Sequence, residues 1–96
     1  MVKKTVVITG GSRGIGLSIT KAFLEKDFDV YVGARKIANL KFLKNPPNFF
    51  PTDVRKEDDV INLIKKAKSE TGRLDILINN AGYSEWRPID QIDERF

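Results

Sequence analysis

Thr9-Gly10-Gly11-Ser12-Arg13-Gly14-Ile15-Gly16 reads TGGSRGIG, and this stretch decides the fold. It follows the apolar, β-branched run Val6-Val7-Ile8 and precedes an amphipathic segment. That order predicts a strand, a tight turn and a helix. Gly10, Gly14 and Gly16 form a G-x-x-x-G-x-G pattern at the turn. Glycine gives access to positive φ and lets main chain approach a ligand with no Cβ in between. The helix opening at Gly14 presents unpaired N–H groups and the positive end of its dipole, which suit a phosphate. The expected occupant is the pyrophosphate of a dinucleotide; a tight connection with no ligand is the plain alternative. The commoner G-x-G-x-x-G fingerprint is not met, because Ile19 stands where its third glycine belongs.

Working outward, Thr5–Ile8 reads as a strand buried on both faces. Ser12 is the expected N-cap of the first helix. Ile15, Ile19, Ala22 and Phe23 are expected on its buried face, with Ser18, Thr20, Lys21 and Glu25 opposite. The helix should fade near Lys26-Asp27. Val30-Tyr31-Val32 is the second strand, with Gly33-Ala34-Arg35 at its carboxyl end. Leu40, Phe42 and Leu43 suggest a short helix or turn, which Asn45-Pro46-Pro47-Asn48 interrupts. Phe49-Phe50 is a short third strand stopped by Pro51. From Lys56 to Thr71, Val60, Ile61, Leu63, Ile64 and Ala67 form one helical stripe, and Gly72 suits the position after the last turn. Leu74–Ile78 is a fourth strand.

Strand and helix alternate throughout. Parallel pairing needs such long crossovers, and right-handed crossovers give an α/β, Rossmann-like doubly wound parallel sheet. Four strands in the order 3-2-1-4 are expected, as an incomplete version of that sheet within a single domain over 1–96. Ligands in such sheets lie beyond the carboxyl ends of the strands. The glycine turn, Arg35, Asp53-Val54 and Asn79-Asn80-Ala81-Gly82 all fall at such ends.

Composition narrows the function classes. The chain has 96 residues, 41% hydrophobic and 31% charged, as expected of a globular domain. It contains no cysteine and no histidine. Disulfides, thiolate chemistry and a histidine-based triad are excluded, and no metal site is expected. The absence of cysteine fits a reducing compartment, and a cytoplasmic location is the expectation. The net charge of +4 comes from scattered Lys and Arg, so neither nucleic acid nor a membrane surface is expected as a partner. No apolar run approaches the ~20 residues of a membrane span.

The rim residues suggest which nucleotide is held. A site selective for NAD places a carboxylate at the end of the second strand, where it binds the ribose 2′-hydroxyl and repels a 2′-phosphate. Here Gly33-Ala34 is followed by Arg35, whose planar fork suits a phosphate. Arg13 is a second candidate for the same phosphate, and Lys36 is adjacent. NADP is therefore favoured over NAD. Asp53 has two readings: its carboxylate accepts an adenine amino group, or it caps the loop before the second helix. Tyr31 reads as sheet packing and Trp86 as a loop aromatic. Neither Tyr31 nor Tyr83 is followed by lysine at the fourth position, since Arg35 and Arg87 stand there.

Taken together, T-G-x-x-x-G-x-G at Thr9–Gly16, Asp53-Val54 and N-N-A-G at Asn79–Gly82 resemble the short-chain dehydrogenase/reductase family. The resemblance covers about Thr5–Gly82 and is closest in flavour to the bacterial 3-oxoacyl-carrier-protein reductases. It implies that Gly10, Ser12, Arg13, Gly14, Ile15 and Gly16 wrap the cofactor phosphates and ribose. It implies adenine contacts from Asp53 and Val54, ribose contacts from Asn80, Ala81 and Gly82, and a sheet-steadying role for Asn79. Arg35 resembles the NADP-preferring arrangement.

The implied activity is hydride transfer between a nicotinamide and a carbonyl or alcohol substrate. The family's catalytic serine and Tyr-x-x-x-Lys pair follow the N-N-A-G motif and do not occur before Phe96, so no catalytic residue is assigned. Ile89, Ile92 and Phe96 read as the start of an amphipathic helix capped by Asp90 or Asp93. The expectation is a truncated cofactor-binding portion of a longer oxidoreductase. The alternatives are a stand-alone nucleotide-binding module and a product that self-associates, as a homo-oligomer, through the open edge of its fourth strand.

Overall fold

The computed structural model describes residues 3–80. Expectations for Ala81, Gly82, Tyr83, Trp86 and the segment from Ile89 to Phe96 lie outside the described residues. The elements are β1 (Thr5–Thr9), α1 (Gly14–Glu25), β2 (Asp29–Ala34), a 3-10 turn (Ala38–Phe42), β3 (Asn48–Pro51), α2 (Glu57–Thr71) and β4 (Ile76–Asn79). The sheet order is β3-β2-β1-β4 with every pair parallel, as the alternation of elements predicts.

Alternation along β1 builds the two halves of the core. Successive side chains of a strand point to opposite faces. Val6 and Ile8 pack with Val30, Val32 and Leu40, against Leu17, Phe23 and Leu24 of α1. Val7 and Tyr31 pack on the other face, with Leu63, Ile64 and Ala67 of α2. The helices therefore cover opposite faces, and β1 is buried along its whole length. Tyr31 is core, as expected; its hydroxyl donates to Glu70 Oε1 at 2.6 Å. Gly72 ends α2 at φ 79°, with its N–H donating to Lys68 O at 2.7 Å.

Several local expectations are corrected. Strands run further at their polar ends than the apolar runs suggested: Thr9, Asn48, Pro51 and Asn79 are all paired. Pro51 is the last residue of β3 rather than its stop, which an edge strand tolerates because no ladder N–H is needed there. Leu74 precedes β4, which starts at Ile76. The N-cap of α1 is Arg13 in extended conformation, not Ser12, which is buried in the turn. The buried face of α1 carries Ile19 and Phe23 against the core as expected, but differs elsewhere. Gly16 and Thr20 point inward, while Ile15 is 75% exposed and Ala22 is exposed. The reason is a hydrogen bond: the Thr20 hydroxyl lies 3.0 Å from Gly11 O and 2.9 Å from Gly16 O, so its proton ties α1 to the turn.

Two threonines give opposite tests. Thr5 Oγ1 is buried without a hydrogen-bond partner, whereas Thr20 Oγ1 is fully satisfied. Thr5→Val should raise the unfolding free energy by about 1 kcal/mol, because an uncompensated polar atom is removed. Thr20→Val should lower it by about 1–3 kcal/mol, because the Gly11 carbonyl is left without its donor. Denaturant unfolding of the two variants checks the signs.

Candidate functional site: a nucleotide cleft at the carboxyl rim

Parallel register brings the ends of the strands to one rim. Thr9 pairs with Gly33 on one side and with Asn79 on the other. Its hydroxyl donates to Asn79 Oδ1 at 2.9 Å and accepts the Asn80 N–H at 3.1 Å. Asn79 thus ties β4 to β1, as expected of it. One residue on, the Gly10 N–H donates to Gly33 O at 2.8 Å.

The turn needs its glycines for two different reasons. Gly10 and Gly14 adopt φ 68° and 53°, a region that L side chains rarely enter. Gly16 has ordinary helical geometry but no room. A Cβ there would collide with the Gly10 carbonyl and lie 2.6 Å from Asn80 Nδ2. The first turn of α1 therefore sits directly on the end of β1. Its N-terminus has no acidic residue in the first turn and no side-chain cap. The first turn of α2 instead carries Glu57, Asp58 and Asp59. α1 is the helix whose positive end is left for an outside anion.

A cleft of about 740 Å³ opens on this rim. Gly10, Ser12 and Arg13 line it from the turn, and Ala34, Arg35 and Lys36 from the end of β2. Thr52, Asp53, Val54 and Arg55 line it from the end of β3, and Asn80 from β4. Seven of the residues singled out in the sequence thus meet in one cleft: Gly10, Ser12, Arg13, Arg35, Asp53, Val54 and Asn80. Gly14 and Ile15 lie beside it on α1, and Gly16 is buried beneath. Arg13, Arg35 and Lys36 have no carboxylate partner among the described residues.

Arg55 and Thr52 were not anticipated. Thr52 is buried, and its N–H donates to Ala34 O at 2.9 Å, which prolongs the β2–β3 pairing into the cleft. Arg55 grips both oxygens of Asp53, with Nε at 3.0 Å from Oδ1 and Nη2 at 2.9 Å from Oδ2. Its backbone N–H also donates to Oδ1 at 3.0 Å. Asp53 therefore does organise the loop before α2, through a turn closed on its own side chain. The Asp53 N–H is held in turn by Asp59 Oδ2 at 2.8 Å. The signal for Arg55 was its place two residues after an aspartate at a strand end.

The titrating groups give two clear statements. Arg55, through its guanidinium and then its N–H, holds the Asp53 carboxyl down at about 2. Burial first, then the Glu70 hydrogen bond, pushes the Tyr31 phenol well above its ordinary range. Tyr31 is thus unsuited to act as a base near neutral pH. No group of three or more His, Cys, Asp or Glu side chains that could hold a metal ion is present among the described residues. Among them, no helix is long and apolar enough to cross a membrane.

A doubly wound parallel sheet with a glycine turn, an uncapped helix start and a cationic cleft at its rim has the architecture of the Rossmann-like α/β class. The chain matches the family model for short chain dehydrogenases over residues 4–95, and it belongs to that family. It is 40% identical to the L-fucose dehydrogenase of Mus musculus over 83 residues, which are 83% of this chain and 30% of that protein. It is 39% identical to the 3-oxoacyl-[acyl-carrier-protein] reductase FabG of Chlamydia pneumoniae over 89 residues, covering 85% of this chain and 36% of that protein. The solved structure of ElxO with NADP bound aligns with a TM-score of 0.75 at 35% identity, over 90% of this chain and 38% of that one. The chain spans about a third of the length of the curated relatives it matches.

The ion pair at Asp53 makes a pH prediction. A folded carboxyl at about 2, against an ordinary value of 3.8, stabilises the fold fully above 3.8 and loses that contribution as pH falls through 2. Carbon-detected NMR titration should place Asp53 near 2 in the intact protein. In Arg55→Ala it should return toward 3.8.

Proposed function

We propose that this chain forms the NADP(H)-holding part of an oxidoreductase that acts on a carbonyl or alcohol. The observation that carries the reading is the pairing of two features on one rim. The start of α1 has no acid of its own, and the end of β2 offers Arg35 and Lys36, unpaired among the described residues. A side chain at Gly16 has no space, so backbone donors stay at the surface of the turn, and the cleft beside them is cationic. The likeness to ElxO with NADP bound points the same way.

In this reading the bound nicotinamide supplies or accepts the hydride. The N–H groups at the start of α1 hold the pyrophosphate, where the helix dipole also favours negative charge. Gly10, Ser12, Gly14 and Gly16 shape the turn around it, and exposed Ile15 offers an apolar face to the nucleotide. Arg35, with Arg13 and Lys36, takes the 2′-phosphate through charge-assisted bonds. Asp53 and Val54 contact adenine, and Asn80 contacts the ribose. No described residue is given a proton-transfer role.

Cofactor fluorescence titration tests this. NADPH should bind saturably and more tightly than NADH. Arg35→Ala removes one charge-assisted contact worth about 1.5–3 kcal/mol, so the NADPH Kd should rise about 10–100-fold. The NADH Kd should change by less than about 3-fold, since NADH carries no 2′-phosphate. Equal affinity for the two cofactors refutes the phosphate assignment. Absence of saturable binding refutes the whole reading.

A further inference from the structure

Among the described residues the cleft has a single acid, Asp53, beside its lining cations. Pairing of β2 with β3 brings that acid and two of the cations to neighbouring strand ends. Ala34 pairs with Pro51, and the Thr52 N–H still reaches Ala34 O at 2.9 Å. Arg35 and Lys36 follow the end of β2 and Asp53 follows the end of β3, and all three line the same cleft. Neighbouring parallel strands lie about 4.8 Å apart, so the acid and the two cations enter the cleft from adjacent strand ends. A carboxylate free to turn toward them would neutralise one and would repel a phosphate bound between them.

The structure instead shows Asp53 turned onto Arg55, with both oxygens engaged at 3.0 and 2.9 Å. No ion pair links Asp53 to Arg35 or Lys36 among the described residues. We propose that Arg55 sets cofactor specificity through Asp53: by holding both carboxylate oxygens it keeps the acid off Arg35 and Lys36 and leaves those cations for the 2′-phosphate. The inference rests on the phosphate assignment above and adds a residue that acts on it indirectly. Arg55 is a positioning residue, and the depressed Asp53 carboxyl is consistent with an acid that stays ionised while being masked.

The test is the ratio of NADH to NADPH dissociation constants, measured by cofactor fluorescence in four proteins. These are the wild type, Arg55→Gln, Asp53→Asn and the double variant. Arg55→Gln should weaken NADPH about 5–10-fold and NADH by less than about 2-fold, so the ratio falls. Arg55→Lys, which keeps the charge but loses the fork, should lie in between. Adding Asp53→Asn to Arg55→Gln should return the ratio to the wild-type value, because the freed acid is gone. Any adenine contact of Asp53 is common to both cofactors and cancels in the ratio. A double variant whose ratio stays low overturns the proposal, since Arg55 would then act on the phosphate itself. An unchanged ratio in Arg55→Gln also overturns it, while a selective wild type leaves the phosphate assignment standing. A wild type without selectivity removes that assignment and this inference together.

Discussion

Thr9 stands where three strand ends meet, and its position constrains the rest of the rim. It pairs with Gly33 and Asn79, and its one hydroxyl both donates to Asn79 and accepts from Asn80. β1 has a strand on each side and a helix on each face. Slipping it by one residue would exchange Val7 for Val6 and Ile8 between the two half-cores. Core packing therefore fixes the register, and the register fixes which residues emerge level with one another. The cleft inherits its geometry from side chains that never touch it.

Different interactions do different work on that rim. A helix terminus contributes about 0.3–1 kcal/mol toward an anion at an exposed site, whereas a charge-assisted hydrogen bond contributes about 1.5–3 kcal/mol. The start of α1 is therefore suited to positioning, and the arginines to discrimination. α2 shows the contrast: Glu57, Asp58 and Asp59 already complement its own dipole, and Asp59 is spent on the Asp53 N–H. The two helix starts on the same edge of the sheet have been given opposite electrostatic roles by local sequence.

Much of this was legible because the strands are continuous apolar runs and the breaks between them are chemically distinct. Val6-Val7-Ile8, Val30-Tyr31-Val32 and Ile76-Leu77-Ile78 have the pattern of buried parallel strands, and Gly72 marks the end of α2. Strand order and the cluster of site residues followed from that. The inward face of α1 was legible only in part: Ile19 and Phe23 pack on the core as expected, but residue type misleads at Ile15 and Thr20. Thr20 is polar yet fully buried, since its partner is the Gly11 carbonyl nine residues back, a contact that no periodicity reports. The grip of Arg55 on Asp53 was missed for a similar reason: spacing places the pair in one turn, but only geometry shows both carboxylate oxygens taken.

The misread helix face itself bears on the site. At about 100° per residue, a helix that turns Gly16 and Thr20 toward the sheet must turn Ile15 away. The close approach at Gly16 thus has a consequence one residue earlier: a large aliphatic side chain stands 75% exposed on the first turn of α1. Beside it lie the backbone donors of a helix start with no cap and no acid. Such neighbours suit neither bulk water nor a simple anion alone. They match a ligand that is charged in one part and flat and apolar in another, which is the chemistry of a dinucleotide.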